Sequence, residues 1–389
     1  MAGPSARTLP SRAEVVIIGG GVIGTSIAFH LAEAGVTDVV LLERAELGSG
    51  STSKAAGGVR AQFSDRLNIE LGARSLEAFA QFGRRPGQEI DLRRVGYLFL
   101  LSTAADVAAF TRDVRLQNEL GVASRMIDAA EAGRRCPLID TDGVLAAAFS
   151  PDDGHCTPES VVLGYATGAR RLGATLLTGT AVTGIETAHG EARAVLTDRG
   201  RIEAGSVVCA AGAWSREIGA MVGLELPITP VRRQVMLTEP MPGLDPALPF
   251  TIDFATSFYF HREGRGLLVG MSDPDQAPGF ELDYSQDWLP RLGDAMAARA
   301  PRLLDVGLRD GWAGLYEVTP DHNALIGEAA APGRFLYATG FSGHGFLQGP
   351  AVGEVLRDLW LGREPFVDVG PLSAERFAVG ALRPERHIV

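Results

Sequence analysis

The spacing of apolar residues predicts a strand, a helix and a second strand near the start of the chain. Val15–Ile18 is a short run of β-branched residues, which is typical of a parallel strand buried on both faces. Apolar residues then recur at helical spacing from Ile27 up to Gly35, and glycine is a common helix stop. Val39–Leu42 forms a second buried strand that ends at Glu43. The pattern therefore predicts a βαβ unit of about 30 residues.

Three glycines occupy the predicted turn between the first strand and the helix. Gly19 suits a tight turn, Gly21 lets the backbone approach a pyrophosphate, and Gly24 lets the helix lie close to the strand. The amides at the helix N-terminus favour phosphate oxygens. Glu43 suits a ribose with two free hydroxyls and repels the 2′-phosphate of NADP. The alternative is a glycine-rich turn in an unrelated α/β protein, but the flanking strand and helix favour binding of NAD or FAD.

Three later segments favour the longer cofactor, FAD. Glu46–Asp65 is rich in small residues and suits a loop that follows an extended ligand, although a mobile surface loop is the alternative. Ser206–Trp214 is an apolar strand whose end provides a second close approach of the backbone. Near the C-terminus, strand Phe335–Ala338, loop Gly340–Gly345 and helix Leu347–Trp360 place a helix N-terminus at the loop, where an anionic group is stabilised.

Other segments predict a second structural unit. Tyr97–Leu101 and Tyr259–Met271 have the alternating or β-rich character of an antiparallel sheet. Ala104–Leu120 and Gln286–Ala300 have the spacing of amphipathic helices. No internal repeat or low-complexity segment interrupts the chain.

The composition limits the classes of partner and location. The chain has 389 residues, 46% of them hydrophobic and 21% charged, as in an ordinary globular protein. Its net charge of −11 argues against nucleic acid or an anionic membrane as the main partner. No apolar run approaches the ~18 residues of a membrane span. The first fourteen residues resemble a short leader without the apolar core of a signal peptide, so we predict a cytoplasmic protein. The three widely spaced cysteines indicate neither a disulfide framework nor a metal site.

With these motifs, the chain resembles the FAD-dependent amine and amino-acid oxidoreductases of the D-amino-acid oxidase (DAO) family. The resemblance runs from Glu14 to about Leu361 and rests on GGGVIG, GGVRAQFSD, VVCAAGAWS, WAGLYEVTPDHNALIG and GFSGHGFLQGP. Within the family, it is strongest to sarcosine oxidase β subunits and to the FAD subunits of proline dehydrogenases. It therefore implies a flavoprotein that acts on a small amine or amino acid, with partner subunits as a further expectation.

The resemblance also implies a reaction. The enzyme would oxidise a C–N bond to an imine, with a secondary amine such as sarcosine or proline favoured, and pass the electrons to O2 or another acceptor. One alternative is a D-amino-acid or glycine oxidase of the same fold. Another is a flavoprotein subunit that serves electron transfer or assembly in a larger complex.

The fold that the resemblance implies is α/β. A Rossmann-type FAD-binding domain, similar to that of glutathione reductase, is interleaved with an α+β substrate-binding domain built on an antiparallel sheet. We expect the FAD-binding domain to comprise residues 1–91, 156–225 and 318–389. The substrate-binding domain would comprise residues 92–155 and 226–317.

The predicted FAD contacts combine the glycine-rich turn, the end of the second strand, the small-residue loop and the two later loops. They are Gly19, Gly21, Val22, Ile23, Gly24, Glu43, Arg44, Ser51, Thr52, Ser53, Gly57, Gly58, Val59, Val182, Ala211, Gly212, Trp214, Gly343, His344, Gly345, Phe346 and Leu347.

Arg60 is the first candidate catalytic residue. An arginine at the matching place in monomeric sarcosine oxidases lies beside the flavin ring, and a guanidinium is well suited to a carboxylate. The alternative is a surface or inter-domain ion pair. Arg233 and His261 are weaker candidates, because their pattern is more typical of a solvated strand face.

His344, Tyr259 and Tyr316 complete the candidate catalytic set. His344, in GFSGHGF, resembles the family histidine beside the flavin, and both tyrosines are expected to face the flavin. For each of them the alternative is a packing role, since buried tyrosines are common in protein cores.

Several positions depart from the family pattern. Phe63 and Leu347 stand where monomeric sarcosine oxidases have carboxylate ligands, which weakens the case for sarcosine itself. Leu268 replaces the lysine that assists the reaction with oxygen in those enzymes, so rapid direct oxidation by O2 is not favoured. The alternative is that His344 or Arg60 provides the positive charge instead.

Some relatives carry a cysteine linked to FAD just before the tyrosine of the motif WAGLYEVTPDHNALIG, whereas the stretch Ala313–Tyr316 contains no thiol, so we predict noncovalent FAD. We also predict no metal, because the cysteine spacing indicates no site for one.

Overall fold

The computed structural model describes residues 8–388, in which two eight-stranded sheets form the framework. Residues 1–7, where the predicted leader begins, lie outside the described residues. In chain order the strands are Arg12–Ile18 (β1), Val39–Leu42 (β2), Gly58–Val59 (β3), Tyr97–Leu101 (β4), Arg125–Ile127 (β5), Ala146–Ser150 (β6), Gly154–His155 (β7), Thr175–Leu177 (β8), Val182–Ala188 (β9), Glu191–Thr197 (β10), Gly200–Cys209 (β11), Thr229–Thr238 (β12), Phe250–Asp253 (β13), Phe258–Glu263 (β14), Gly266–Met271 (β15), Leu308–Val318 (β16), Leu325–Glu328 (β17) and Phe335–Thr339 (β18). The α-helices are Val22–Glu33 (α1), Arg66–Ala80 (α2), Ala104–Glu119 (α3), Ala129–Arg135 (α4), Pro158–Arg171 (α5), Ser215–Ala220 (α6), Leu289–Arg299 (α7), Gly345–Trp360 (α8) and Glu375–Ala378 (α9).

The first sheet has the order β17-β18-β11-β1-β2-β8, and its five strands from β18 to β8 are parallel. Strand β17 pairs antiparallel at one edge, and strands β9 and β10 extend from β11. Val15 and Ile17 belong to the core that contains residues of α1, α5 and α8, whereas Val16 and Ile18 belong to the core on the opposite face. Burial on both faces explains the continuous β-branched run and confirms the predicted Rossmann-type architecture.

The predicted βαβ unit is confirmed, and its turn requires glycine for steric reasons. Gly19 has φ +111°, and a Cβ atom there would lie 2.3 Å from the carbonyl oxygen of Ala210. A Cβ atom on Gly24 would lie 1.9 Å from the carbonyl oxygen of Gly19. Gly24 therefore lets α1 pack directly against the turn that leaves β1.

The second sheet has the order β16-β12-β15-β14-β13-β4-β6-β5. It is antiparallel except for the pair β4–β13, where Tyr97 lies opposite Phe250 in parallel register. The predicted antiparallel sheet thus contains one parallel pair, because a long crossover between these two strands brings them to run in the same direction. The predicted β-rich segment Tyr259–Met271 is a hairpin of β14 and β15. Helices α3 and α7 lie where amphipathic helices were predicted.

The strands of the two sheets alternate along the chain. Those of the first sheet come from residues 12–42, 175–209 and 325–339, and those of the second from residues 97–150 and 229–318. The predicted domain bounds stay a prediction. No helix within residues 8–388 combines the length and apolar character needed to cross a membrane. Cys136, Cys156 and Cys209 are free, buried thiols.

Candidate functional site

A cavity of about 650 Å³ is lined by residues from both sheets. The turn after β1, the end of β2 and the loop before β3 line one part of it. Residues of β12, β14 and β16 from the second sheet line another part, together with the start of α8. The cavity therefore lies where several distant stretches of the chain meet.

All but three of the predicted FAD contacts line this cavity, and so do all four candidate catalytic residues. The exceptions are Gly24, Ser53 and Val59. Gly24 instead packs against the turn, as described above, and the amide of Ser53 donates to the carbonyl of Gly48. Val59 is completely buried in a short strand that pairs with Gly154.

The glycine-rich turn and the end of β2 are joined by hydrogen bonds. The amide of Gly20 donates to Oε2 of Glu43 at 2.7 Å, and the amide of Ala45 donates to Oε1 of Glu43 at 2.8 Å. Each carboxylate oxygen can accept a further bond, so Glu43 keeps the capacity to bind ribose hydroxyls. At the start of α1, the amide of Val22 donates to the hydroxyl of Thr52 at 3.1 Å. The amide of Val22 is therefore already paired.

The lining of this region fits FAD. Bare glycine backbone at Gly19, Gly21 and Gly212 gives a diphosphate close access to the chain. The guanidinium of Arg44 lies 3.8 Å from the ring centroid of Trp214, which presents a flat aromatic surface at the cavity. A carboxylate for ribose, small residues for the diphosphate and aromatic surfaces for the rings together match the parts of this cofactor.

Arg60 is buried, with 4% of its surface exposed, and its guanidinium is held by the protein itself. It donates from Nη1 to the carbonyl of Gln62 and from Nη2 to the carbonyl of His387, the latter at 2.6 Å. The Nη2 atom also lies 3.3 Å from Nε2 of His344. Arg60 forms no ion pair with any residue in 8–388, which excludes the alternative of a surface ion pair.

His344 is a neutral histidine of defined tautomer. Burial, with the charge of Arg60 beside it, lowers the pKa of His344 to about 3. A guanidinium can only donate hydrogen bonds, so Nε2 of His344 is the acceptor and the ring proton resides on Nδ1. His344 also precedes α8 as its N-cap residue and lines the cavity.

Stability should fall as the solution is acidified, because several histidines are buried in the neutral form. Burial lowers the pKa of His30, His155 and His344 to about 3 and that of His261 to about 4. The unfolded chain binds these protons below pH ~6.5, so each histidine costs about 1.4 kcal/mol per pH unit between that pH and its folded pKa. Asp153, whose pKa burial raises to about 7, offsets only part of this effect.

Calorimetry between pH 7 and pH 5 tests this expectation, with a falling Tm as the predicted result. His261→Gln removes one of the titrating groups and should make the decline shallower. A Tm that is constant across this range in the unaltered protein would contradict the assignment of neutral buried histidines.

Arg233, Tyr259 and Tyr316 belong to the part of the lining that the second sheet contributes. Arg233 is not on a solvated strand face, because it lines the cavity with its guanidinium 5.2 Å from the ring centroid of Tyr316. Its Nη1 donates to the carbonyl of Arg232, but its Nε is buried without an acceptor, and it has no ion-pair partner in residues 8–388. Burial raises the pKa of both tyrosines, which keeps their hydroxyls neutral.

His261 is also not on a solvated strand face, since it is 1% exposed. Its ring nitrogens lie 2.9 Å from the carbonyl oxygens of Arg262 and Ala56. Ligand atoms of His155, His261 and Glu263 lie within 4.8 Å of one another. Because both nitrogens of His261 face backbone carbonyls, we assign no metal to this group.

Sequence reasoning missed several residues of the lining, among them Tyr97, Phe250, Glu317 and Lys54. Glu317 is held in place by the amide of Gly340 and the hydroxyl of Thr339. Among these residues, only Lys54 stands out in the sequence, because it is the single lysine of the chain and every other basic residue of the Lys/Arg type is an arginine.

Lys54 provides a direct test of where the cofactor binds. Since its side chain borders the cavity, we expect bound FAD to protect it from an amine-reactive reagent by about tenfold or more, as occlusion by a tightly bound ligand implies. Peptide mapping after brief labelling, with and without FAD, separates Lys54 from the terminal amine. Equal labelling of Lys54 in both samples would place the cofactor elsewhere.

A family model described as FAD dependent oxidoreductase (DAO) matches residues 14–359. Mitochondrial dimethylglycine dehydrogenase of Mus musculus is 32% identical over 386 residues, which cover 94% of this chain and 44% of that protein. The chain thus spans about half the length of the dimethylglycine dehydrogenases that it matches.

Solved structures show the same fold. The crystal structure of L-proline dehydrogenase from P. horikoshii has a TM-score of 0.91 and 34% identity, covering 96% of this chain and 100% of that one. Glycine oxidase from Geobacillus kaustophilus has a TM-score of 0.83 and 26% identity, covering 93% of this chain and 98% of that one.

Proposed function

This chain belongs to the DAO family of FAD-dependent oxidoreductases, and we propose that it oxidises the C–N bond of a small amine that carries a carboxylate. A secondary amino acid such as sarcosine or proline is the favoured substrate, and the product is the imine. One observation carries the proposal: Arg233 is a cation without an ion-pair partner in residues 8–388, and it faces the cavity beside two neutral tyrosines.

The cofactor and the chain have separate tasks in this reaction. Bound FAD supplies the redox chemistry, since it accepts two electrons as a hydride equivalent from the carbon next to nitrogen. In our proposal, the glycine-rich turn holds the diphosphate and Glu43 holds the ribose. Arg60 and His344 contact each other at the cavity wall, where a fixed positive charge favours electron-rich groups.

Arg233 is proposed to bind the substrate carboxylate. Its buried Nε lacks an acceptor, and a carboxylate oxygen would satisfy it while a guanidinium Nη donates to the other oxygen. This assignment accounts for the apolar residues Phe63 and Leu347 at positions where a carboxylate ligand was expected, since the carboxylate ligand then comes from β12 of the second sheet. The substrate is thereby held against one wall of the cavity.

Tyr259 and Tyr316 are proposed to orient the amine and to limit access of water. Tyr259 is 9% exposed, and its ring lies over Gly270 of the adjacent strand, where a Cβ atom would come within 2.4 Å of the hydroxyl. Because the hydroxyls of Tyr259 and Tyr316 are neutral, neither tyrosine competes as an anion with the substrate carboxylate for Arg233. The imine is then hydrolysed by water to the carbonyl compound and the amine.

The proposal is tested by turnover of the purified protein with sarcosine, dimethylglycine, proline, glycine and D-amino acids, with an artificial electron acceptor or O2. We expect turnover with one of the secondary or tertiary amino acids, and formaldehyde release identifies oxidation of an N-methyl group. Turnover restricted to glycine or D-amino acids would favour the oxidase alternative. A lack of turnover that is restored only by a co-purifying polypeptide would favour the electron-transfer alternative. The predicted cytoplasmic location and the partner subunits stay predictions.

A further inference from the structure

The segment 383–387 follows the last helix, and two of its polar residues, Glu385 and His387, are buried near Arg60. Glu385 and His387 are 2% and 1% exposed, although the segment contains no helix or strand. A polar stretch of chain is costly to bury unless its groups are paired. The contacts of these two residues therefore show what the segment is bound to.

Glu385 anchors the segment to the start of α2. Its carboxylate accepts hydrogen bonds from the amide and the hydroxyl of Ser64, the latter at 2.7 Å. It also accepts from Nδ2 of Asn68 at 3.1 Å and from the amide of His387 at 2.8 Å. Burial alone would raise the pKa of Glu385, but the nearby His387, together with the hydrogen bonds to the ionised carboxylate, lowers it to about 2.

His387 is fixed at its ring and directs its backbone towards the cavity. Its Nε2 lies 3.0 Å from Oδ2 of Asp113, and its ring stacks on Phe110 with centroids 4.1 Å apart and planes within 8°. The carbonyl oxygen of His387 accepts the 2.6 Å hydrogen bond from Nη2 of Arg60. The same Nη2 atom contacts His344.

We propose that residues 383–387 are a positioning segment that holds the guanidinium of Arg60 against His344. Two anchors, Glu385 on α2 and His387 on α3, fix the carbonyl that binds Arg60. Arg60 in turn fixes the tautomer of His344 at the cavity wall. The proposal concerns the geometry of these groups, and only its consequence for catalysis rests on the proposed function.

The segment also accounts for the charge balance around a buried arginine. The titratable and charged groups that face His344 are Arg60, Glu385, His322 and His387. Glu385 is the one carboxylate among them, and the segment brings it close to Arg60 without forming an ion pair with it. Without the segment, Arg60 would therefore lose a nearby carboxylate that balances its positive charge, and it would also lose one hydrogen-bond acceptor, the carbonyl of His387.

The test uses Glu385→Ala in the full-length holoenzyme, with Leu382→Ala as the matched control, because Leu382 is 56% exposed in the same stretch of chain. Histidine-selective ¹⁵N and ¹³C NMR reports the tautomer of each ring, and the chain has seven histidines. The His344→Gln variant assigns the His344 signals. We expect the unaltered protein and Leu382→Ala to show the proton of His344 on Nδ1.

In Glu385→Ala we expect His344 to lose this tautomer and kcat/KM to fall by about tenfold, the effect of losing a hydrogen bond to a charged group. Asp113→Asn provides a second variant, since it weakens the hold on the ring of His387 while the Glu385 anchor remains. Retention of the original tautomer of His344 in both variants would overturn the proposal. Because the NMR signal needs no turnover, it decides this point even if the proposed reaction is wrong.

Discussion

Arg233→Met should raise the KM for the amino-acid substrate about 100-fold, since truncating one partner of a buried, hydrogen-bonded charge pair costs about 2–5 kcal/mol. The guanidinium of Arg233 faces the cavity and has no ion-pair partner in residues 8–388, so the substrate carboxylate is the group that would lose its partner. Steady-state kinetics with the best amino-acid substrate measures the effect. A smaller change is expected in kcat, because the carboxylate lies away from the reacting bond.

The adjacent arginine provides a matched control. Arg232 donates to the side chain of Gln276 and to the carbonyl of Asp283, and it does not line the cavity. Arg232→Met should therefore leave KM nearly unchanged. The KM of Arg233→Lys should lie between those of Arg232→Met and Arg233→Met, because lysine keeps the charge but lacks the planar donor fork of a guanidinium. Equal effects of Arg232→Met and Arg233→Met would remove Arg233 from the substrate site.

Gly21→Val should weaken FAD binding by about 100-fold or more, the loss expected when about two hydrogen bonds to a charged diphosphate are no longer made. Gly21 has φ −75° and ψ −172°, which any residue adopts, and an added Cβ would meet only the hydroxyl of Thr52, at 3.2 Å. The backbone conformation therefore accepts a side chain, and the Thr52 hydroxyl must shift by a few tenths of an ångström to make room for its Cβ atom. The cavity does not accept it, because the valine occupies the path of the diphosphate.

FAD content after purification and a titration of the apoprotein measure this loss, with Tm and circular dichroism as checks on folding. Gly293→Val is the control, since a Cβ atom at this position in α7 meets nothing within 4 Å. Noncovalent FAD also predicts that acid denaturation of the unaltered protein releases the whole yellow chromophore. A Gly21→Val protein that retains FAD at normal affinity would contradict the assignment of the diphosphate to this turn.

The parts of the fold that the sequence predicted well are those determined by local contacts. The run Val15–Ile18, the glycine spacing and the helix that follows lie within a stretch of about 30 residues. Within that stretch Gly24 is required by the carbonyl of Gly19, whereas Gly19 is required by the distant carbonyl of Ala210, which the sequence does not reveal. The parallel pairing of β4 with β13 was missed, because it joins strands about 150 residues apart and nothing local distinguishes it from an antiparallel pair.

The candidate site was harder to predict where it depends on long-range packing. The alternation of residues along β12 shows that Arg233 points to one face, but not that this face borders a cavity. Similarly, Arg60 was recognised from its motif, whereas its contact with His387 joins residues that are 327 positions apart. Residue type predicted which groups have suitable chemistry, and the tertiary structure determined which of them meet.

The most direct test of the account compares a carboxylated amine with its decarboxylated counterpart under anaerobic conditions. Proline against pyrrolidine, and sarcosine against dimethylamine, are pairs that differ only in the carboxylate. We expect the absorption band of the bound FAD to bleach with at least one of the two amino acids, and its decarboxylated counterpart to require a concentration about 100-fold higher for the same bleaching. If both members of each pair bleach the band equally, or if no carboxylated amine bleaches it, then this cavity does not carry out the reaction proposed for it.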